Sequence, residues 1–273
     1  MRLRIVSALV TTVALVCAPG ALADTTYSSN WAGYAAHGPA ASFRQVSGSW
    51  RQPSVSCTPG RQSYSSYWVG LGGYSQNSNA LEQIGTEADC GAQGNVTLSA
   101  WYELVPAAAV PINMTIRPGD TMFASVTVSG HRVLVSLDDA TRGRAFSKTL
   151  SSGSIDVTSA EWIVEAPSSC FGSGACTVLP LANFALAAFT GASAQSTAGH
   201  SGSVSDPAWG ATRIDLSPTG RRFVTLGASG QPAAIATSLH QGGSAFAVAY
   251  ARSGQALFSP RRLLASVAVS VKH

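Results

Sequence analysis

The sequence predicts an all-β protein, an antiparallel sandwich or jelly roll of two sheets, on three observations. Apolar and polar residues alternate with period two in six separate runs, Gly, Pro and Ser turn signals stand between them, and helix-period segments with proper caps are nearly absent. A strand presents successive side chains to opposite faces, so such alternation marks a sheet with one buried side.

The alternating runs are TLSAWYELV (97–105), MFASVTVSG (122–130), HRVLVSL (131–137), AEWIVE (160–165), NFALAAF (183–189) and AFAVAYA (245–251). Pro118-Gly119-Asp120, Ser129-Gly130 and Pro218-Thr219-Gly220 supply turns. A Ser/Gly/Ala-rich stretch from Gly191 to Ser205 reads equally as a linker or as a long surface loop. No internal repeat interrupts this pattern, and many short strands with Gly/Ser-rich turns suit a sandwich.

The chain opens with Arg2 and Arg4 before an apolar run from Ile5 to Cys17, and Ala21-Leu22-Ala23 precedes Asp24. Residues 1–23 therefore read as a secretory signal peptide; the run is short for a membrane anchor, and its small-residue end favours cleavage. Residues 24–250 form the expected domain and 251–273 a basic tail carrying Arg252, Arg261, Arg262 and Lys272. With only two lysines in the chain and the basic excess confined to that tail, no nucleic-acid partner is expected. The expected product is a secreted, extracellular monomer with no membrane association after cleavage.

Cys17 leaves with the signal, so Cys57, Cys90, Cys170 and Cys176 remain, an even number that suggests two disulfides in an exported chain. Three connectivities exist. Cys170 with Cys176 and Cys57 with Cys90 is the expected one, because CFGSGAC closes a short Gly-rich loop. Without a C-x-x-C pair, and with scattered histidines, no metal site is expected.

Carboxylates carry the remaining signal. Glu82, Glu87, Glu103, Glu161 and Glu165 are all the glutamates, and they fall in three narrow windows. In AEWIVE, Glu161, Ile163 and Glu165 share one strand face and Ala160, Trp162 and Val164 the other; in AWYELVP, Trp101, Glu103 and Val105 lie together. Glutamates at alternate strand positions are most often simply solvent-facing. There is no aspartic-protease D-T-G pair, no H-E-x-x-H and no G-x-S-x-G elbow, and nothing points to a Ser/His/Asp triad.

Six motifs nevertheless occur in order: S-N-W-A-G-Y (29–34), Y-W-V-G-L-G-G (67–73), L-E-Q-I-G-T-E (81–87), A-W-Y-E-L-V-P (100–106), I-R-P-G-D (116–120) and A-E-W-I-V-E-A-P (160–167). Together they resemble the glutamic peptidases, the eqolisin family. The resemblance implies a concanavalin-like jelly roll of two antiparallel sheets and an acid-acting endopeptidase without a cofactor, whose substrates are polypeptides. By motif it places the catalytic pair on Gln83 and Glu165, with Gln76 a weaker competitor for the glutamine. It further implies that Trp31 and Trp68 wall a substrate cleft and that Glu87 and Glu103 support the catalytic region, while Glu161 is a structural neighbour.

In that chemistry Glu165 takes a proton from the attacking water, and Gln83, neutral at every pH, donates to the developing oxyanion. Gly72 stands where the family usually carries an acid, S-N-W-A-G-Y begins a few residues past the expected cleavage site, and the basic tail is unusual. A non-catalytic glycan-binding module on the same sandwich, and a glycosidase using Glu103 and Glu165, are the competing expectations.

Overall fold

The computed structural model describes residues 24–38, 42–171, 175–217 and 233–251, so the expected signal peptide and nearly all of the basic tail lie outside the described residues. In chain order the strands are β1 (Asp24–Ser28), β2 (Trp31–His37), β3 (Phe43–Arg51), β4 (Ser66–Gly72), β5 (Leu81–Cys90), β6 (Val96–Val105), β7 (Val110–Ile112), β8 (Thr121–Ser129), β9 (Arg132–Asp139), β10 (Arg144–Ser151), β11 (Ser159–Glu165), β12 (Ser168–Phe171), β13 (Ala175–Val178), β14 (Leu186–Ser196), β15 (Ser201–Ser203), β16 (Gly210–Leu216), β17 (Ala233–Ala236) and β18 (Phe246–Ala251). No helix occurs among the described residues.

Two layers form from one continuous hydrogen-bonded ladder in the order β10-β9-β8-β3-β14-β18-β17-β16-β2-β11-β4-β5-β6-β7. The ladder folds back on itself, so that β3 and β8 pack face to face on β4 while β11 lies over β3 and β14. β17 makes the bend, joining β18 on one side and β16 through the single pair Leu216–Ala234 on the other. The expected antiparallel sandwich is therefore present, with one parallel exception where β1 runs beside β16. β12 and β13 form a separate hairpin closed by Cys170–Cys176, and Cys57–Cys90 ties the chain ahead of β4 to the end of β5. Both disulfides match the expected connectivity.

Large side chains fill the space between the layers: Tyr34, Phe43, Trp50, Tyr67, Trp162, Phe189 and Phe246 are all buried. Their polar atoms find partners, as burial requires. Trp162 Nε1 donates to Ser47 O at 2.7 Å and Trp50 Nε1 to Thr86 Oγ1 at 3.0 Å, while Thr86 Oγ1 donates to Gln52 Oε1.

Two expectations need correction. The run 183–189 begins as a strand only at Leu186, because Ala185 has φ 55° and turns the chain before β14. The stretch 191–205 is neither linker nor long loop: β14 continues to Ser196 and hairpins back through β15, with a bulge against β3 between Thr190 and Ser193. Its small residues carry too little hydrophobic contrast for periodicity to register.

The central strands also depart from a one-sided pattern. Every residue of β4 is buried, as are all of β11 but Glu165. On the side facing away from the main core, Ala35, Trp68, Leu81, Trp101, Ile163 and Ile214 form a second apolar cluster, against which Trp31, Tyr74 and Val105 pack. This second face carries the candidate site.

Candidate active site

Strand register sorts the site residues into rows across β2, β11, β4, β5 and β6. One row reads Trp31, Glu165, Ser66, Glu87, Ser99; the next Gly33, Ile163, Trp68, Gly85, Trp101; the third Ala35, Glu161, Gly70, Gln83, Glu103. Opposed residues in an antiparallel pair project to the same face, so all six residues expected at the site, Gln83, Glu165, Trp31, Trp68, Glu87 and Glu103, share one surface. Small residues make the room. A Cβ on Gly85 would lie 2.6 Å from Trp68 Cβ, so only glycine permits the indole to lie there.

Glu165 is the last residue of β11 and is gripped at both oxygens. Asn30 Nδ2 donates to Oε1 at 3.0 Å and Trp68 Nε1 to Oε2 at 2.9 Å. Asn30 is itself oriented from β1, since Ser28 Oγ donates to Asn30 Oδ1 at 3.1 Å, and the Asn30 carbonyl accepts from Ala166 N at 2.8 Å. Trp31 stands edge-on to Trp68, ring centroids 5.0 Å apart. Burial pushes the Glu165 carboxyl up to about 7; the Trp68 and Trp31 indoles oppose this, the Glu103 charge adds to it, and Asn30 opposes it again.

Gln83 lies on β5 opposite Glu103, and its Nε2 donates to Glu103 Oε2 at 2.7 Å. Gln83 Oε1 is buried and has no hydrogen-bond partner among the described residues. One N–H and the carbonyl oxygen are thus left for other groups. Burial raises the Glu103 carboxyl, and the Gln83 amide lowers it. Gln83 and Glu165 sit two rows apart with Trp68 between them. Glu87 is level with Glu165 and accepts from Ser99 Oγ. Gln76, by contrast, is exposed on the loop between β4 and β5.

The two acids of AEWIVE face the same side but occupy different environments. Glu161 is fully buried between Ala35 and Gly70, and neither oxygen has a hydrogen-bond partner among the described residues. Burial drives its carboxyl well above the usual range, the Ser159 hydroxyl opposing and the Asp156 and Glu82 charges adding. Its burial on the site face favours the protonated form, and it is not solvent-facing.

A groove of about 610 Å³ is lined by Ser28, Asn30 and Trp31 and by Gly73, Tyr74 and Gln76; Glu165 does not line it but adjoins it through its hydrogen bond from Asn30 and its pairing with Trp31. Trp68 is completely buried, so it offers no open face on which a sugar ring could stack. Sequence reasoning missed Asn30, although it lies within S-N-W-A-G-Y, and missed Asp156, which no motif contains.

This two-layer antiparallel fold is shared with glutamic peptidases of known structure. The crystal structure of Scytalido-glutamic peptidase with a peptide-based transition state analog superposes with a TM-score of 0.61 at 27% identity, covering 82% of this chain and 99% of that one. SCP-B, a member of the Eqolisin family of peptidases in a complex with the tripeptide Ala-Ile-His, gives 0.58 at 26% identity over the same 82% and 99%. Scytalidopepsin B of Scytalidium lignicola is 33% identical over 167 residues, which is 59% of this chain and 61% of that protein. Residues 29–236 match the Peptidase A4 family, and the chain belongs to that family.

Proposed function

We propose that the protein is a secreted endopeptidase, with Glu165 as general base and Gln83 as oxyanion donor. The observation that carries this reading is the grip on Glu165. A carboxylate held at both oxygens by Asn30 and Trp68, beside a groove and on the same face as a buried, half-satisfied glutamine, suits a group that must meet water in one fixed orientation.

Glu165 as the carboxylate removes a proton from the water that attacks the scissile carbonyl. The free N–H of Gln83 donates to the oxygen as it becomes an oxyanion, and Oε1 helps hold the water. Glu103 keeps the Gln83 amide from rotating by accepting its other N–H. Protonated Glu165 then passes its proton to the leaving amine, which restores the carboxylate. Trp31 walls the entry, and Trp68 fixes the carboxylate from below. Disulfides on a chain of this family favour an extracellular setting.

A Glu165 carboxyl raised to about 7 places the rising limb of activity nearer neutrality than the resemblance alone implies. Incubation of the secreted protein with a denatured protein substrate from acid to neutral pH tests the reading. Glu165→Gln and Gln83→Ala are each expected to abolish hydrolysis in a folded protein, because each removes a role exercised mainly in the transition state. A folded Glu165→Gln variant with near-parental turnover overturns the assignment.

A further inference from the structure

The chain leaves β4 through two consecutive left-handed glycines, Gly72 with φ 84° and Gly73 with φ 86°, into a loop that returns at Leu81. Asp156, on the segment between β10 and β11, fills the space where a Gly72 side chain would stand. A Cβ there would lie 2.6 Å from both the Cβ and the carbonyl oxygen of Asp156. From this position the carboxylate collects four donors. Oδ2 accepts from Gly73 N at 3.3 Å and from Ser78 Oγ, while Oδ1 accepts from Thr158 N at 2.9 Å and Thr158 Oγ1 at 2.6 Å.

Both ends of the 73–80 loop thus hang on one oxygen of a residue remote in sequence. The loop's own bonds are local: Ser78 N donates to Ser75 O at 2.9 Å, Asn77 N to Ser75 Oγ at 3.3 Å, and Gly73 N and Ala80 N reach Ser78 Oγ at 3.2 and 3.5 Å; the Ser78 hydroxyl, shared with Asp156, also lies 2.8 Å from Ala80 O, and Tyr74 stacks on His37 with centroids 4.5 Å apart. One flank of this loop is a wall of the groove beside Glu165, through Gly73, Tyr74 and Gln76; the opposite flank faces Asp156.

We propose that Asp156 is a positioning residue for substrate binding, which holds the 73–80 loop against the groove so that Tyr74 and Gln76 meet the bound peptide. The inference rests on the peptidase reading above and adds to it a determinant of affinity outside the reacting groups. All four of its contacts are donors, so both oxygens must accept. An asparagine would turn its N–H₂ toward one donor pair and lose it. Burial alone would raise the Asp156 carboxyl, but the Ser78, Thr158 and Gly73 donors outweigh it and hold it below its ordinary value, which keeps the anchor ionised in acid. Gln83 and Glu165 sit on β5 and β11 and do not depend on the loop for their hydrogen bonds, so loosening it weakens binding without touching the chemistry.

The experiment compares the full secreted chain with Asp156→Asn and Ser78→Ala, measuring kcat and KM on an internally quenched peptide and amide hydrogen exchange across residues 73–80. Asp156→Asn is expected to raise KM about tenfold, and Ser78→Ala about threefold, with kcat within about twofold of the parent and faster loop exchange. A merely structural role would lower the active fraction, and with it kcat, at constant KM. That result overturns the inference. So does unchanged KM with a loosened loop, or unchanged exchange. If Asp156→Asn does not fold, Ser78→Ala alone decides on the same two readouts. A parent that hydrolyses no peptide overturns the functional reading instead, and exchange then judges the anchor: a looser loop in the variants supports it, an unchanged loop refutes it.

Discussion

Glu82 offers the sharpest quantitative test of this fold. It lies on β5 opposite Leu71 and Leu104, is fully buried, and neither oxygen has a hydrogen-bond partner among the described residues. Burial pushes its carboxyl from the ordinary 4.5 up to about 8; the nearby Asp156 amide opposes this and the Asp156 charge adds to it. The folded protein therefore keeps a proton that the unfolded chain releases. Stability from this group is fully present below pH 4.5 and is lost as pH rises toward 8. At pH 7 the loss amounts to about 3 kcal/mol, taking 1.36 kcal/mol for each pH unit between 4.5 and 7. For a domain whose total stability is typically about 5–15 kcal/mol, that is a large share. Glu82→Gln keeps the shape and cannot ionise, so it is expected to match the parent within about 1 kcal/mol at pH 4 and to exceed it by about 3 kcal/mol at pH 7. Urea unfolding at both pH values is the assay. Equal effects at the two pH values, or no gain at pH 7, would refute the reasoning. Asp89 and Glu165, both raised to about 7 chiefly by burial, and Glu161 act in the same direction, so the parent itself is expected to lose stability steadily from acid to neutral pH.

Three further outcomes are expected. Trp68→Phe keeps most of the buried ring but removes the N–H on Glu165 Oε2, so the rising limb of the kcat/KM profile should move up by about one pH unit; a limb that stays in place or moves down refutes the link. Glu161→Gln should leave kcat within about threefold of the parent, because a neutral acid without a hydrogen-bond partner is replaced by a neutral amide, and a loss as deep as that of Glu165→Gln would show the wrong acid to have been chosen. Replacing Cys170 and Cys176 together by serine removes a bridge of sequence separation 6 that closes the hairpin just past Glu165, at a cost of about 2–3 kcal/mol; activity should fail at a lower temperature than in the parent, and identical thermal inactivation would count against it.

Much of the architecture was legible in local pattern. Alternation of apolar and polar residues is a property of neighbouring positions, so β6, β8, β9, β11 and β18 could be read directly, as could the shared face of Glu161 and Glu165 and that of Trp101 and Glu103. The short Cys170–Cys176 loop is local for the same reason. Strands with weak contrast escaped, such as β10, almost wholly exposed, and β15, built of Ser and Gly. What alternation cannot say is whether the second face of a strand meets water. Glu82 and Glu161 are alike in sequence context to exposed strand glutamates, and only the assembled sheet encloses them: Glu161 on β11, between β2 and β4, lies on the face of the apolar cluster around Trp68, whereas Glu82 on β5 faces the main core beside Leu71. Contacts across long separations are equally invisible to local pattern. Asn30 meets Glu165 across 135 positions and Asp156 meets Ser78 across 78, because chain reversal through many strands, not any neighbouring residue, brings those atoms together. The sequence by itself thus determined the all-β class, the strands with strong contrast and their faces, and the kinds of residue a site would use; the tertiary structure alone decided the remaining strands and which carboxyl groups lose their water, since burial and register are properties of the assembled sheet.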